Sequence, residues 1–198
     1  MNPTTPEISE AIQHPMDPEN FTKIVEQFQN PVYNLCARML VDFNEAEDAA
    51  QETFWKAYKN INSYDPQRSF LTWLLSIAAH YCIDQIRKRR YTSISMENLP
   101  EDFIPDLDPS PECEVSQTEE QRKIRELLNI LTPEDRSAVI MRYWYDFSDE
   151  EIGSVSHLSV SAVKSRLFRA RKQMAQEWLR KDTPTMLPSR RSHEPSAV

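Results

Sequence analysis

Hydrophobic and polar positions repeat with a helical period in two blocks of this chain. Apolar residues recur at spacings of three and four, which is the pattern of an amphipathic helix. The clearest series are Phe21, Ile24, Val25 and Phe28, then Phe70, Leu74, Ile77 and Tyr81, and finally Val160, Val163, Leu167, Ala170, Met174 and Trp178. Because each series forms one apolar stripe, the pattern predicts helices that pack on a core.

Start signals divide the first block into several helices. Asp17-Pro18-Glu19 has the order of N-cap, first-turn proline and first-turn acid. We expect Pro31 to kink this helix or to begin a new one. A capping box that begins at Asn44 predicts a second helix over 44–59. A third, long helix is predicted at about 68–90.

The second block has start signals for four further helices. They are predicted near 117–130, 133–146, 149–155 and 160–180. Only about four residues separate the last two helices. A short helix, a tight turn and a longer basic helix are typical of a helix-turn-helix.

Composition supports an all-α fold. The chain has 198 residues, with 14 prolines and a single glycine, Gly153. Hairpin turns and Gly-rich phosphate loops depend on glycine, so both a hairpin-rich β fold and a phosphate-binding loop are disfavoured. We predict two small helical domains joined by an acidic flexible linker, with flexible tails. The predicted order is tail 1–16, domain 17–91, linker 92–116, domain 117–181 and tail 182–198.

Charge is unevenly distributed along the chain. The formal net charge is -8, but residues 92–121 contain nine acids and no lysine or arginine, which leaves 23 basic and 22 acidic residues elsewhere. The basic residues concentrate in Arg87-Lys88-Arg89-Arg90 and on the last predicted helix. The acidic total therefore does not exclude a nucleic-acid partner.

Cysteine and histidine patterns give no sign of catalysis or metal binding. Cys36, Cys82 and Cys113 are far apart and form no CxxC pair, so we expect reduced thiols and no zinc site. No nucleophile–base arrangement is visible, and we expect neither enzymatic activity nor a cofactor. The N-terminal residues lack the pattern of a signal peptide, and no apolar run reaches the ~20 residues of a membrane span. We therefore predict a cytoplasmic protein.

The outward side of the last helix is the strongest candidate for DNA contact. At about 100° per residue, the side opposite the apolar stripe carries cations, small hydroxyls and one aromatic ring. Its members are Ser161, Lys164, Ser165, Arg166, Phe168, Arg169, Arg171 and Lys172. A solvated charged face is the ordinary alternative, but it gives Phe168 no role. In a major groove, Lys or Arg can read guanine while Phe168 contacts a thymine methyl.

Two helices of the first block have further candidate surfaces. Trp73, His80 and Arg87 recur every seven residues, and such a row suits single-stranded DNA, because bases stack on rings while cations hold phosphates. The alternative that Trp73 is a core residue stays open. The acidic and aromatic 44–59 helix could dock a basic partner, although an ordinary amphipathic helix explains it equally well.

Three segments of the first block resemble conserved region 2 of sigma-70-type transcription initiation factors, and three of the second resemble region 4. The former are AEDAAQETF (46–54), SFLTWL (69–74) and IDQIRKRR (83–90). The latter are LTPE (131–134), DEEI (149–152) and AVKSRLFRAR (162–171). The acidic linker replaces the region that lies between them in larger members. This layout resembles the extracytoplasmic function (ECF) subfamily.

The resemblance implies a sigma factor, which directs core RNA polymerase to promoters. For contact with the clamp coiled coil of the largest polymerase subunit, it implies Asp48, Gln51, Glu52, Phe54 and Trp55. For recognition and melting of the minus-10 element, it implies Asn62, Ser63, Arg68, Trp73, His80, Asp84, Arg87 and Lys88. For recognition of the minus-35 element, it implies Ser161, Lys164, Ser165, Arg166, Phe168 and Arg169. The polymerase flap, promoter DNA and an anti-sigma factor are the other implied partners.

Two residues depart from the family pattern. His80 stands where the family usually has asparagine, which affects base preference at the minus-10 element. His157 stands where the helix-turn-helix turn usually has glycine. Histidine tolerates a positive φ better than most residues, and Ser159 can cap the next helix. We therefore expect the turn to form.

Two other classes of function remain open on the residues alone. A stand-alone helix-turn-helix regulator would use only residues 117–180. A protein-binding adaptor would act through the acidic linker and have no DNA role. Within the sigma-factor interpretation, we hypothesise that the linker covers the basic surfaces of the free chain and yields them on polymerase.

Overall fold

The fold is helical throughout the residues that this computed structural model describes, which are 6–15, 17–96 and 119–182. The helices of the first block are α1 (Pro6–Gln13), α2 (Pro18–Met39), α3 (Phe43–Lys59) and α4 (Phe70–Met96), with a short 3-10 helix at Ile61–Ser63. Those of the second are α5 (Glu119–Asn129), α6 (Pro133–Trp144), α7 (Asp149–Ser156) and α8 (Val160–Asp182). The all-α prediction is confirmed. Residues 1–5, the predicted 92–116 linker beyond residue 96 and the tail after 182 lie outside the described residues.

Helices α2, α3 and α4 pack against one another around apolar residues that the periodicity had indicated. Ile24, Leu35 and Leu74 are fully buried, and Phe28 is 3% exposed. The Asp17 carboxylate accepts a hydrogen bond from the backbone N–H of Glu19, as the predicted N-cap requires. The first block therefore folds as the amphipathic pattern predicts.

Four details of the first block differ from prediction. Helix α4 runs to Met96, so the first five residues of the predicted 92–116 linker are helical. Residues 6–13 form α1, with Ile8 and Ala11 buried, so this stretch is not part of a flexible tail. Helix α2 continues through Pro31 without a second start, because packing on both sides holds the turn that the proline weakens. Helix α3 begins at Phe43, because the carboxylate of Asp42 accepts from the Glu45 N–H and takes the N-cap role expected of Asn44.

The second block has the four predicted helices, and the caps predicted for α6 and α7 are present. The Thr132 hydroxyl accepts from the N–H of Asp135 at the start of α6. Ser148 and Glu151 form a reciprocal capping box at the start of α7. These caps satisfy one backbone N–H group at the start of α6 and two at the start of α7.

The connection from α7 to α8 is a tight left-handed turn. His157 has φ 55° and ψ 41°, and the N–H of Leu158 donates to the carbonyl of Gly153 at 2.9 Å. The Ser159 hydroxyl lies 3.3 Å from the N–H of Ala162 and caps α8. The turn therefore forms with histidine in the place usually taken by glycine.

The two blocks share one continuous core. Arg136 on α6 is only 6% exposed and donates to three main-chain carbonyls, those of Leu128 at 2.9 Å, Met39 at 2.6 Å and Asn129 at 3.1 Å. Because Met39 ends α2 while Leu128 and Asn129 end α5, one guanidinium caps two helix C-termini. Arg136 thereby joins the blocks.

Two cysteines lie inside the first block. Cys36 on α2 and Cys82 on α4 are both fully buried and are free thiols. The pKa of the Cys82 thiol is raised, mainly by a hydrogen bond with Cys36 and to a lesser extent by burial. Across the described ranges, no three His, Cys, Asp or Glu side chains are arranged to hold a metal ion. None of the helices described is long and apolar enough to cross a membrane.

Candidate nucleic-acid interface

The outer face of α8 has the composition that its helical angles predicted. Ser161, Lys164, Ser165 and Arg169 are exposed. The ring of Phe168 stands among them with 62% of its surface exposed. This surface, defined by these five residues, is called the α8 face below.

The register of the α8 face is fixed by the opposite side of the helix. Val163 and Ala170 are at most 1% exposed, and Leu167 is 6% exposed. The apolar stripe ends earlier than predicted, because Met174 is half-buried while Trp178 is 45% exposed. The buried part of the stripe is nevertheless enough to turn the α8 face to solvent.

Arg166 is placed differently from the sequence prediction. Its Nη1 lies 3.2 Å from Oδ1 of Asp135 in the first turn of α6, and its side chain is 22% exposed. The position lies between the buried stripe and the outer face, so a carboxylate on α6 draws the side chain inward. Arg166 therefore forms an ion pair within the second block and is not part of the α8 face.

The predicted minus-10 residues before α4 lie on a loop with local hydrogen bonds. The Ser63 hydroxyl donates to the Asn60 carbonyl at 2.7 Å, and the Tyr64 hydroxyl donates to the Arg68 carbonyl at 2.7 Å. Burial, and then the Asp65 carboxylate, raise the pKa of Tyr64, which keeps the phenol a donor. Ser63 and Arg68 are exposed on this ordered loop, as is Asn62.

Trp73 is half-buried in an aromatic cluster. Its ring centroid lies 5.4 Å from those of both Tyr64 and Phe70, and Phe70 lies 5.3 Å from Phe28 in the core. One part of the indole therefore packs on the core, as the core alternative predicted, and another part reaches the surface. The Trp73 ring is therefore not fully exposed for stacking on a base.

The remaining predicted minus-10 residues are exposed along α4. They are His80, Asp84, Arg87 and Lys88. A row of imidazole, carboxylate and cations one turn apart can offer ring stacking, hydrogen bonds and phosphate contacts together. Together with Asn62, Ser63, Arg68 and the exposed part of Trp73, these residues are called the α4 face.

The acidic helix α3 presents a third surface. Asp48 and Gln51 are exposed, Glu52 is half-exposed, and Trp55 exposes 53% of its surface. The Lys59 ammonium lies 4.4 Å from the centre of the Trp55 ring. Phe54 differs from the prediction, since it is only 8% exposed and packs in the core beside Ala50 and Ala57. The α3 face therefore consists of Asp48, Gln51, Glu52 and Trp55.

These surfaces together define a class of protein. A helix-turn-helix with a basic outer face, on the same core as a second helix with rings and cations, is typical of a DNA-binding transcription protein. Comparison with known families gives the class its name. Residues 24–92 match the family described as Sigma-70 region 2, and residues 121–174 match Sigma-70, region 4.

Curated relatives resemble most of the chain. The ECF RNA polymerase sigma factor SigW of Bacillus subtilis is 34% identical over 179 residues, covering 81% of this chain and 90% of the relative. The ECF RNA polymerase sigma factor SigE of Mycolicibacterium smegmatis is 33% identical over 157 residues, covering 78% of this chain and 60% of the relative.

Solved structures share the fold. The sigma factor RpoE of Bartonella quintana, in complex with the anti-sigma factor NepR, has a TM-score of 0.64 at 24% identity, covering 83% of this chain and 99% of that one. CnrH, in complex with the cytosolic domain of CnrY, has a TM-score of 0.63 at 21% identity, covering 89% and 97%.

The chain belongs to the sigma-70 family of RNA polymerase sigma factors, and within it to the ECF sigma factors. It directs promoter-specific transcription as a subunit of RNA polymerase and has no catalytic activity of its own. The resemblance stated from the six sequence segments is confirmed, and the stand-alone regulator is not favoured.

Proposed function

We propose that the chain divides promoter recognition between its two blocks. Residues 17–91 act as region 2 and contact the minus-10 element and core polymerase, while residues 117–181 act as region 4 and contact the minus-35 element. The observation that carries this proposal is the α8 face, where cations, hydroxyls and an exposed phenyl ring point away from the core of a helix-turn-helix.

Minus-35 recognition is assigned to the α8 face in the major groove. Lys164 and Arg169 can donate to guanine O6 and N7, and Phe168 can contact a thymine methyl. Ser161 and Ser165 are short enough to let the helix approach the bases. Arg166 acts differently, because its pairing with Asp135 orients α6 against α8.

Minus-10 recognition is assigned to the α4 face. The 61–69 loop and the exposed edge of Trp73 receive an unpaired base, and His80 and Asp84 contribute hydrogen bonds along the helix. Arg87 and Lys88 then hold phosphates of the separated strand. The imidazole of His80 can both donate and accept a hydrogen bond, so we expect a base preference unlike that of members with asparagine there.

The α3 face is proposed to dock on the clamp coiled coil of the largest polymerase subunit. Its carboxylates complement a basic partner, and Trp55 supplies a large aromatic anchor of the kind that dominates binding energy at interfaces. We further propose a contact of the second block with the polymerase flap, a cytoplasmic location, and an anti-sigma factor as a regulatory partner. The last is supported by the structural relative RpoE, which was solved in complex with the anti-sigma factor NepR.

Run-off transcription from a randomised promoter library is the experiment that tests the function. Core polymerase with the full chain should select templates that share two separated elements, whereas core polymerase alone should select none. A chain that binds duplex DNA tightly but leaves core transcription unchanged would instead be a stand-alone regulator and would contradict the proposal.

Replacement of Arg169 by alanine should relax specificity at one position of the minus-35 element. A bidentate contact to a base edge accounts for about 1–3 kcal/mol of discrimination, or roughly a fivefold to 150-fold change. Selection on the library with the R169A chain measures this loss of base preference. A uniform loss over all templates would show that Arg169 contacts phosphate instead, and K172A provides a comparison at a neighbouring exposed cation.

Replacement of Trp55 by alanine should weaken association with core polymerase by about 2 kcal/mol or more, because exposed tryptophans that become buried at interfaces are frequent hot spots. Affinity for core can be measured by fluorescence anisotropy with the labelled full chain. Trp178 is also exposed, at 45%, but lies outside the α3 face, so W178A is the matched control. Equal losses in both variants would count against docking through α3.

A further inference from the structure

The 61–69 loop is anchored at both ends by buried apolar residues. Ile61 is 5% exposed at the start of the 3-10 helix, and Phe70 is 5% exposed as the first residue of α4. Between these anchors, Asn62, Ser63 and Arg68 are exposed members of the α4 face. The conformation of the loop therefore decides where three residues of the α4 face lie.

Tyr64 belongs both to the aromatic cluster and to this loop. Its ring lies edge-on to that of Phe70, with the centroids 5.1 Å apart and the planes inclined by 83°. Its centroid is also 5.4 Å from that of Trp73. Aromatic pairs favour such tilted and edge-to-face arrangements, which hold a ring in one orientation. Because packing holds the ring, its hydroxyl is directed at one place on the loop.

The Tyr64 hydroxyl bonds to the main chain of Arg68. It donates to the Arg68 carbonyl at 2.7 Å and so links two loop residues that are four positions apart. Phenylalanine would fill nearly the same space in the aromatic cluster, so the hydroxyl contributes this bond rather than packing. Burial, and then the Asp65 carboxylate, raise the pKa of Tyr64, so the hydroxyl keeps its proton at neutral pH.

Asp65 holds the same turn through three contacts. Its carbonyl accepts from the N–H of Arg68 at 2.9 Å, and its Oδ1 accepts from the N–H of Gln67 at 3.0 Å. Its Oδ2 lies 3.5 Å from Nε of Arg68, whose Nη1 donates to the Ser154 hydroxyl at 2.7 Å. Tyr64 and Asp65 together therefore fix both main-chain polar groups of Arg68.

A loop that binds DNA gains affinity when its binding conformation is already formed. Ordering a flexible segment at the moment of binding costs free energy, because backbone and side-chain freedom is lost. The bonds of Tyr64 and Asp65 order the loop when the chain folds. Of these bonds, the one from the Tyr64 hydroxyl can be removed by deleting a single oxygen atom.

We propose that Tyr64 is a positioning residue for minus-10 recognition, whose hydroxyl holds the Arg68 main chain and keeps the 61–69 loop in the conformation that receives the separated strand. The inference rests on the proposed function, because it requires the α4 face to be the minus-10 surface. The hydroxyl acts through the exposed loop residues. Its own hydrogen is used within the loop, so the role requires no contact between this hydroxyl and DNA.

The test replaces Tyr64 by phenylalanine in the full-length chain. Y143F is the matched control, because Tyr143 is 55% exposed on α6 and lies outside the α4 face. Hydrogen–deuterium exchange, followed by mass spectrometry, measures the order of segment 60–69 in each free chain. Anisotropy measures the binding of each holoenzyme to two dye-labelled probes made from one template of the selected library. One probe is a fork with an unpaired minus-10 strand, and the other is a duplex that contains only the minus-35 element.

We expect Y64F to weaken binding of the fork by about fivefold, within the roughly twofold to tenfold change that one neutral hydrogen bond gives. Exchange over 60–69 should become faster by a similar factor, because the loop opens more readily. Affinity for the minus-35 duplex should stay within about twofold, since the α8 face is unchanged. Y143F should match the natural chain in every measurement.

Each departure from this pattern has a separate meaning. Unchanged exchange in Y64F would overturn the proposal, because the hydroxyl would not order the loop. Weaker fork binding without faster exchange would also overturn it and make the hydroxyl a direct DNA contact. Faster exchange with unchanged fork binding, or equal losses on fork and duplex, would remove the role in minus-10 recognition. A natural holoenzyme that binds the fork no better than one with a scrambled minus-10 strand would strike the proposed function itself, and this inference with it.

Discussion

Replacement of Arg136 by leucine should lower the free energy of unfolding by about 4 kcal/mol, because three buried carbonyls lose charged donors at once. Leucine is apolar and cannot replace the bonds to Met39, Leu128 and Asn129. Two helix C-termini then face the core without a cation. Urea unfolding followed by circular dichroism measures the loss.

Two further variants isolate the cause. R142L removes an exposed arginine of the same helix that makes one bond, to the Phe147 carbonyl at 2.7 Å, and should cost about 1 kcal/mol. R136K keeps the charge but lacks the planar fork, so it should remain well below the natural stability. If R136L were as stable as R142L, the three carbonyls would have other donors and the central role of Arg136 would be wrong.

Replacement of Gly153 by valine should destabilise the helix-turn-helix by about 3 kcal/mol. A Cβ at this position would lie 2.7 Å from the carbonyl oxygen of Leu158, which is backbone and cannot move aside as a side chain can. The same oxygen belongs to the tight turn closed by the bond from Leu158 N–H to the Gly153 carbonyl. The melting temperature and the affinity for duplex DNA should therefore both fall.

The neighbouring position supplies the control for Gly153. S154V puts the same β-branched residue on the exposed side of α7 and removes the contact from Arg68, so it should cost about 1 kcal/mol or less. G153A should fall between the two variants, because its single carbon meets the same oxygen while alanine favours helix. A G153V chain as stable as S154V would mean that the turn can relax.

Local signals in the sequence predicted the second block well. Thr132, Ser148 and Ser159 cap their helices as their neighbours indicated, because a cap depends on residues three or four positions away. The outer face of α8 followed equally from helical angles. In such cases, the residues that decide the local structure lie within one or two helical turns of each other in the sequence.

Contacts between distant segments were harder to predict. Arg136 is an ordinary surface cation by composition, yet it is buried because carbonyls from two other helices converge on it. Arg166 turns inward toward Asp135 for the same kind of reason. Helix α1 was missed because its polar residues outnumber Ile8 and Ala11, which pack on the core of the first block.

The α4 face shows the same limit at the site. Sequence spacing placed Trp73, His80 and Arg87 on one side of α4, but it contained no sign that Glu134 contacts Arg87 or that His157 contacts His80. These partners are separated by 47 or more positions along the chain. Their pairing depends on how the shared core orients the second block.

The buried thiols of Cys36 and Cys82 have a consequence for how the protein meets oxidative stress. Peroxides and disulfides react with exposed thiolates, whereas both sulfurs are enclosed and the raised pKa keeps Cys82 protonated. We therefore expect both thiols to react slowly with peroxide. A change in transcription on exposure to peroxide would have to be sensed by a component other than these two cysteines.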